Sequence, residues 1–418
     1  MNKKSLSLII ASLILLQITP TYANEKIQQQ LEQLQEKILQ LKESLKQQTK
    51  NKHTNPPKNI VYGDGSNALY IEQYPSSSRS LSLLENRSSF QQGITVGGRV
   101  EFLTQYWNGS DFKAVDNDAT INLENGTGIF LTNANLDFLA NIGNWTQIYF
   151  ATATSQDGST FSTSARSAVI SIGNLKISPF YISAGKSRPV FGSLPGDPWT
   201  LSIPEGTFRP GYVNNVTVGY DNFINNLNVN FTYITPSDNT SAFIADAFYT
   251  YPIQYYFTIG GNIGYVSNIN GTGMSITTSN TANKRTPLFN IEGKMMYKDI
   301  TFYSGWQQTL NNNPSINPDN KGKTGSWYIE STYQPSQFTT TTIFSLGYAQ
   351  TYNMSNGFYS APANAGTPFS IIGPKRQIYG VISRDILTGL TVSLEYAWLE
   401  TYKNKVNNTL TLNTTVYF

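Results

Sequence analysis

The last eleven residues, NTLTLNTTVYF, put Leu410, Leu412, Val416 and Phe418 on one parity, with Thr414 among them. Thr409, Thr411, Asn413, Thr415 and Tyr417 fall on the other. Such period-two alternation predicts a strand with one apolar and one polar face. The pattern recurs back to Ile94. Ile94, Val96, Val100 and Phe102 share a face against Arg99, Glu101 and Gln105, and Leu227, Val229, Phe231 and Tyr233 alternate with Asn228, Asn230 and Thr232. Phe289, Ile291, Met295 and Tyr297 oppose Asn290, Glu292 and Lys294, and Leu390, Val392, Leu394, Tyr396 and Trp398 oppose Thr391, Ser393 and Glu395.

The connections give the architecture. Short turns are expected near Gly143, Asn174, Asp299, Pro335 and Asp385, and long polar loops near residues 108–127, 187–212, 267–286, 311–324 and 354–373, with a further polar loop over 155–165. Short on one side and long on the other is the asymmetry of outer-membrane barrels, whose strands keep charge off the lipid face. A closing strand that ends on Phe418 resembles theirs, where the last strand pairs with the first and removes both sheet edges. The expected fold is an all-β transmembrane barrel of about 16 antiparallel strands over residues 94–418, preceded by a short coiled-coil helix.

The chain ahead of Ile94 reads differently. Lys3 and Lys4 lead an apolar run from Leu6 to Leu16, with small residues before a cut after Ala23, the pattern of a signal peptide over 1–23. Within 24–48, Ile27, Leu31, Leu34, Ile38, Leu41 and Leu45 form a heptad seam. A lone helix of this length is marginal in water, so self-association in the periplasm is expected, making a homo-oligomer through the seam. Residues 49–93, with Pro56-Pro57, read as a linker. Only that helix and linker precede the barrel, which implies either an open pore or one constricted by its own loops, without a plug domain.

Composition removes several classes of function. The formal charge of +3 on 418 residues is no nucleic-acid-binding balance. No cysteine is present, which excludes a disulfide framework and a lipidated cysteine. The single histidine, His53, lies in the linker, so His-based triads and metal sites are not expected in the barrel. No enzyme constellation, cofactor or metal site is expected. The partners that remain are outer-membrane lipid, the barrel assembly machinery and a small solute.

The most distinctive loop, KSRPVFGSLPGDPWTLSIPEGTFRPGY over 186–212, is rich in proline and glycine. It carries Lys186, Arg188 and Arg209. Folded into the lumen, it would set a cationic constriction that favours anions. The overall layout, with AGKSRPVFG at residues 184–192, resembles the legiobactin-receptor-like (LbtU-type) siderophore porins. The Gly-Lys…Phe-Gly stretch is also similar to phosphate-selective porins, though Pro189 precedes Val190 rather than Phe191. The first resemblance implies uptake of an anionic ferric siderophore or iron. A general or phosphate-type diffusion porin and a tethering barrel are the alternatives.

Overall fold

The structure, a computed structural model, describes residues 60–62, 83–84, 93–116, 119–157, 160–192, 202–222, 227–235, 241–254, 256–274, 276, 285–318, 322–335, 340–360 and 370–418. The expected signal peptide and heptad helix lie outside these residues.

Sixteen strands form the wall. The first eight are β2 (Gly93–Asp116), β3 (Ala119–Ile142), β4 (Thr146–Asp157), β5 (Thr160–Gly173), β6 (Phe180–Ser187), β7 (Val213–Asn222), β8 (Leu227–Ile234) and β9 (Ala242–Gln254). The second eight are β10 (Phe257–Val266), β11 (Leu288–Tyr297), β12 (Ile300–Thr309), β13 (Gly325–Tyr333), β14 (Thr342–Tyr352), β17 (Pro374–Leu387), β18 (Leu390–Thr401) and β19 (Val406–Tyr417). Each pairs antiparallel with the next, and β19 closes onto β2 from Tyr417 opposite Arg99 to Asn407 opposite Gly109. Phe418 completes the seam by exchanging two backbone hydrogen bonds with Gly98. Three further strands stand outside the ring order. β15 (Phe358–Ser360) and β16 (Ser370–Ile372) pair with each other between β14 and β17, and β1 (Ile60–Tyr62) runs parallel to β2 at Ile94–Val96.

The wall is sorted inside out. Phe102, Phe138, Ile170, Val218, Phe231, Ile263, Ile329, Leu394 and Leu410 are exposed, whereas Gln105, Asp137, Asn230, Asn262, Glu292, Gln307, Glu330 and Glu395 are buried. In water this would leave an apolar surface without cover. It is the pattern of a strand with one face in lipid and the other in a polar lumen. No helix among the described residues is long and apolar enough to cross a membrane.

The short turns at 143–145, 174–179, 298–299 and 388–389 fall at the end of the barrel that carries Gly93 and Phe418, as expected for the periplasmic side. Two expected loops are instead strand. β2 and β3 continue as a hairpin through most of 108–127, and β4 and β5 run through 155–157 and 160–165. Above the lipid neither face of a strand has to be apolar, so the period-two signal fades there while the backbone pairing continues.

Two lumenal tyrosines tie the wall together. Tyr181 on β6 lies flat across Gly219 of β7 and donates its hydroxyl to Asn230 of β8. Tyr379 on β17 crosses Gly347 of β14 and donates to Glu330 of β13. In both cases a Cβ on the glycine would overlap the ring, so only glycine admits it.

Candidate functional site

The β6–β7 connection turns into the barrel. Ser202, with Glu205 three residues on and Pro204 in the first turn, carries the signature of a helix start, and helix α1 (Ile203–Phe208) follows. This helix packs against β13, β14, β15 and β17, which lie several strands away from β6 and β7 on either route round the ring. The connection therefore crosses the lumen.

Hydrogen bonds hold it there. The Gly192 amide donates to Asp246 Oδ1 on β9 at 3.0 Å, and the Ile203 amide donates to Gln377 Oε1 on β17 at 2.7 Å. Asn262 on β10 also donates to Asp246, at 2.7 Å, and Asn290 on β11 donates to Asn262, so the loop is anchored to a ladder of wall side chains. The β10–β11 connection bonds to it as well, Ile276 N–H to the Thr207 carbonyl and Gly211 N–H to the Thr272 carbonyl.

Apolar packing completes the filling. Phe191 and Phe208 sit among Ile234, Ile244, Val266, Ile269, Met274, Ile316 and Met354, and Ile203 packs with Trp107, Tyr328, Ala349, Ile371 and Leu399. A loop that followed the wall round to its neighbour could not reach Tyr328, Ala349 and Leu399.

The three loop cations take different places. Arg188 stacks on Tyr212, its Cζ 4.6 Å from the ring centroid. Arg209 is half-buried directly after α1. Lys186 does not line the passage. It shares the parity of the exposed Ile182 and of Ala184, and its Nζ donates to the Ala165 carbonyl at 2.8 Å. Strand alternation, continued two residues past Ala184, sends it outward.

Two other arginines stand where Lys186 was expected. Arg166 is the extra residue of a β-bulge, since Ala151 pairs with Ser167 and Thr152 with Ala165. Its Cζ lies 4.9 Å from the Tyr212 centroid, so two guanidinium groups share one ring. Arg99 is buried on the inner face of β2, 3.4 Å from Glu101 and within electrostatic reach of Arg166 and Tyr212. Arg166 and Arg188 thus meet on Tyr212, with Arg99 within electrostatic reach on the same β2–β7 side of the lumen. Of the other cations in the barrel, Lys294 sits over Tyr303 at 5.5 Å, and the outward Arg376 faces Glu400 at 3.7 Å. Arg99 was visible in the sequence as an inward charge. Arg166 was not, because a bulge that re-aims a side chain leaves no periodic trace.

A closed antiparallel barrel of sixteen strands, with an apolar outer face, a polar lumen and an inward loop, is a porin-like barrel of the bacterial outer membrane. The profile of the DUF3573 family, described as a protein of unknown function, matches residues 59–292, and the chain belongs to that family. No curated protein matches the chain. Among solved structures it is similar to the outer membrane channel DcaP of Acinetobacter baumannii, at 12% identity and a TM-score of 0.51, covering 78% of this chain and 97% of that one. It is also similar to a loop-deleted OmpT of Vibrio cholerae (12% identity, TM-score 0.47, covering 78% and 99%) and to OpdL of Pseudomonas aeruginosa (10%, 0.46, covering 78% and 98%).

Proposed function

We propose that this channel admits small anionic solutes across the outer membrane and that Arg99, Arg166 and Arg188 around Tyr212 draw them in. The observation that carries this reading is the gathering of three guanidinium groups on one side of a lumen narrowed by α1. Arginine presents a planar fork suited to carboxylates and phosphates, and a cationic lining raises the local concentration of anions. A ferric siderophore of the polycarboxylate type is the substrate that the resemblance of the 184–192 stretch adds, with phosphate-like solutes as the alternative.

The test is the reversal potential across a salt gradient. Arg166→Gln with Arg188→Gln should lower anion-over-cation permeability several-fold, while neutral sugar flux changes little because Gln keeps similar bulk. Arg99 is left in place, since removing it would take the ion-pair partner from the buried Glu101 carboxylate. Salt should mask the effect, as screening acts over ~8 Å at physiological ionic strength. Lys186→Gln should have no effect. Unchanged selectivity in the double variant would end the anionic reading. Radiolabelled ferric-chelate uptake in a deletion strain then separates iron uptake from general anion diffusion.

A further inference from the structure

The segment ahead of the barrel holds a feature that anion selectivity does not use. Leu83 and Leu84 form a helical turn, 0% and 3% exposed. Leu83 packs with Leu139, Tyr149 and Ala151, and Leu84 with Tyr181 and Leu175. Leu139, Tyr149, Ala151 and Tyr181 alternate with the exposed Phe138, Ile148, Phe150 and Ile182, so they stand on the inward face. The turn therefore lies inside the lumen. Its partners are a few residues from the short turns at 143–145 and 174–179, which places it in the periplasmic half.

Gln147 reinforces the seat, donating through Nε2 to the Leu83 carbonyl at 3.3 Å and to Asn141 Oδ1 at 2.9 Å. The patch stands apart from the amides and acids that make up much of the inner face. Farther upstream, β1 occupies the edge of β2 beyond the end of β19, which stops at Tyr417 opposite Arg99. The pre-barrel chain is thus docked twice, once on the wall and once inside it. The family profile begins at residue 59 and takes in both docking points. The expectation of either an open pore or one constricted by its own loops is corrected to this extent: Leu83 and Leu84, from ahead of the barrel, also lie in the lumen.

We propose that Leu83 and Leu84 are a built-in stopper. They seat on the Leu139–Tyr149–Ala151–Tyr181 patch, narrow the periplasmic half of the lumen, and widen the pore when they leave it. Among the described residues, the seat is held by two apolar side chains and the hydrogen bond from Gln147. Truncating either leucine to alanine removes enough buried surface to shift the seated-to-unseated ratio roughly tenfold. The proposal is independent of the anionic reading, because it concerns pore size rather than ion preference.

The experiment uses the full chain and two readouts. The native sequence has no cysteine, so Ala151→Cys supplies a single thiol beneath Leu83. Its labelling by a membrane-impermeant maleimide reports the seat, and single-channel conductance in planar bilayers reports the width. Leu83→Ala with Leu84→Ala should accelerate labelling roughly tenfold or more and raise conductance, and Leu83→Asp with Leu84→Asp should do both more strongly. Heat-modifiable migration confirms a formed barrel, and the alanine pair decides if the aspartate pair does not assemble. Equal labelling and conductance in native and alanine forms would overturn the proposal. Faster labelling with unchanged conductance would overturn it too, since the turn would then cover the wall without narrowing the passage.

Discussion

The two ends of the lumen are filled in different ways. On the extracellular side the β6–β7 connection is joined to the wall at both ends. It crosses to β13–β17, bonds to Asp246 and Gln377, and buries Phe191, Ile203 and Phe208 in two apolar clusters. On the periplasmic side Leu83 and Leu84 enter from a segment that continues into the barrel only at its far end, and among the described residues one side-chain hydrogen bond, from Gln147, holds them. Apolar area and covalent closure favour the first arrangement. A loop covalently joined to the wall at both ends loses less freedom on docking than a chain joined covalently at Gly93 and held upstream, among the described residues, by the pairing of β1. The contrast suggests a fixed constriction above and a releasable one below.

The largest effect is expected from Phe208→Asp. It sets a carboxylate among Ile234, Ile244 and Val266, and losing the ring alone costs about 3–5 kcal/mol. The loop should leave the lumen, raising conductance and antibiotic permeability beyond anything the Leu83 and Leu84 variants give. A smaller rise from Phe208→Asp would reverse the ranking of the two ends.

Asp246→Leu should come next. It leaves the Gly192 amide and the Asn262 amide without their acceptor, about 1–3 kcal/mol each if both stay buried. The pore should still be constricted but should flicker, which open-channel noise measures. Gln377→Leu removes a single acceptor from the Ile203 amide and should give a weaker form of the same noise. The smallest effect belongs to Tyr379→Phe. It deletes one hydroxyl hydrogen bond, about 1 kcal/mol, from the wall rather than from either filling. The temperature of heat-modifiable migration should fall slightly, with conductance unchanged.

Much of the wall was legible because lipid on one side and water on the other force strict alternation. That is why Leu410, Leu412 and Val416 placed β19, and why Phe418 pointed to the seam with β2. The β2–β3 hairpin was hidden because Asn, Gly and Asp above the lipid obey no such rule. An inward fold of the 187–212 loop was only one of two readings its sequence allowed, and none of its contacts could be read there. Ser202 and Glu205 were the one local sign of α1. Lys186 needed only the parity of Ile182 and Ala184 to be sent outward. Leu83 and Leu84 left no legible mark, since two adjacent leucines in a polar linker have no period and their partners lie more than fifty residues away.

The tyrosines laid across glycines also bear on how the wall is put together. Tyr379 can lie flat only opposite Gly347, because the inward neighbours two residues to either side are Ser345 and Ala349, which carry a Cβ. A slip of one residue would turn the ring into the lipid. A slip of two would lift it off the sheet and take its hydroxyl away from Glu330. Tyr181 applies the same check at Gly219 on the other side of the ring. At these two pairs a strand added during insertion is in effect measured against its neighbour, and a misaligned strand would lose its seat and its buried hydrogen bond together. The barrel thereby carries a proofreading gauge for its own register.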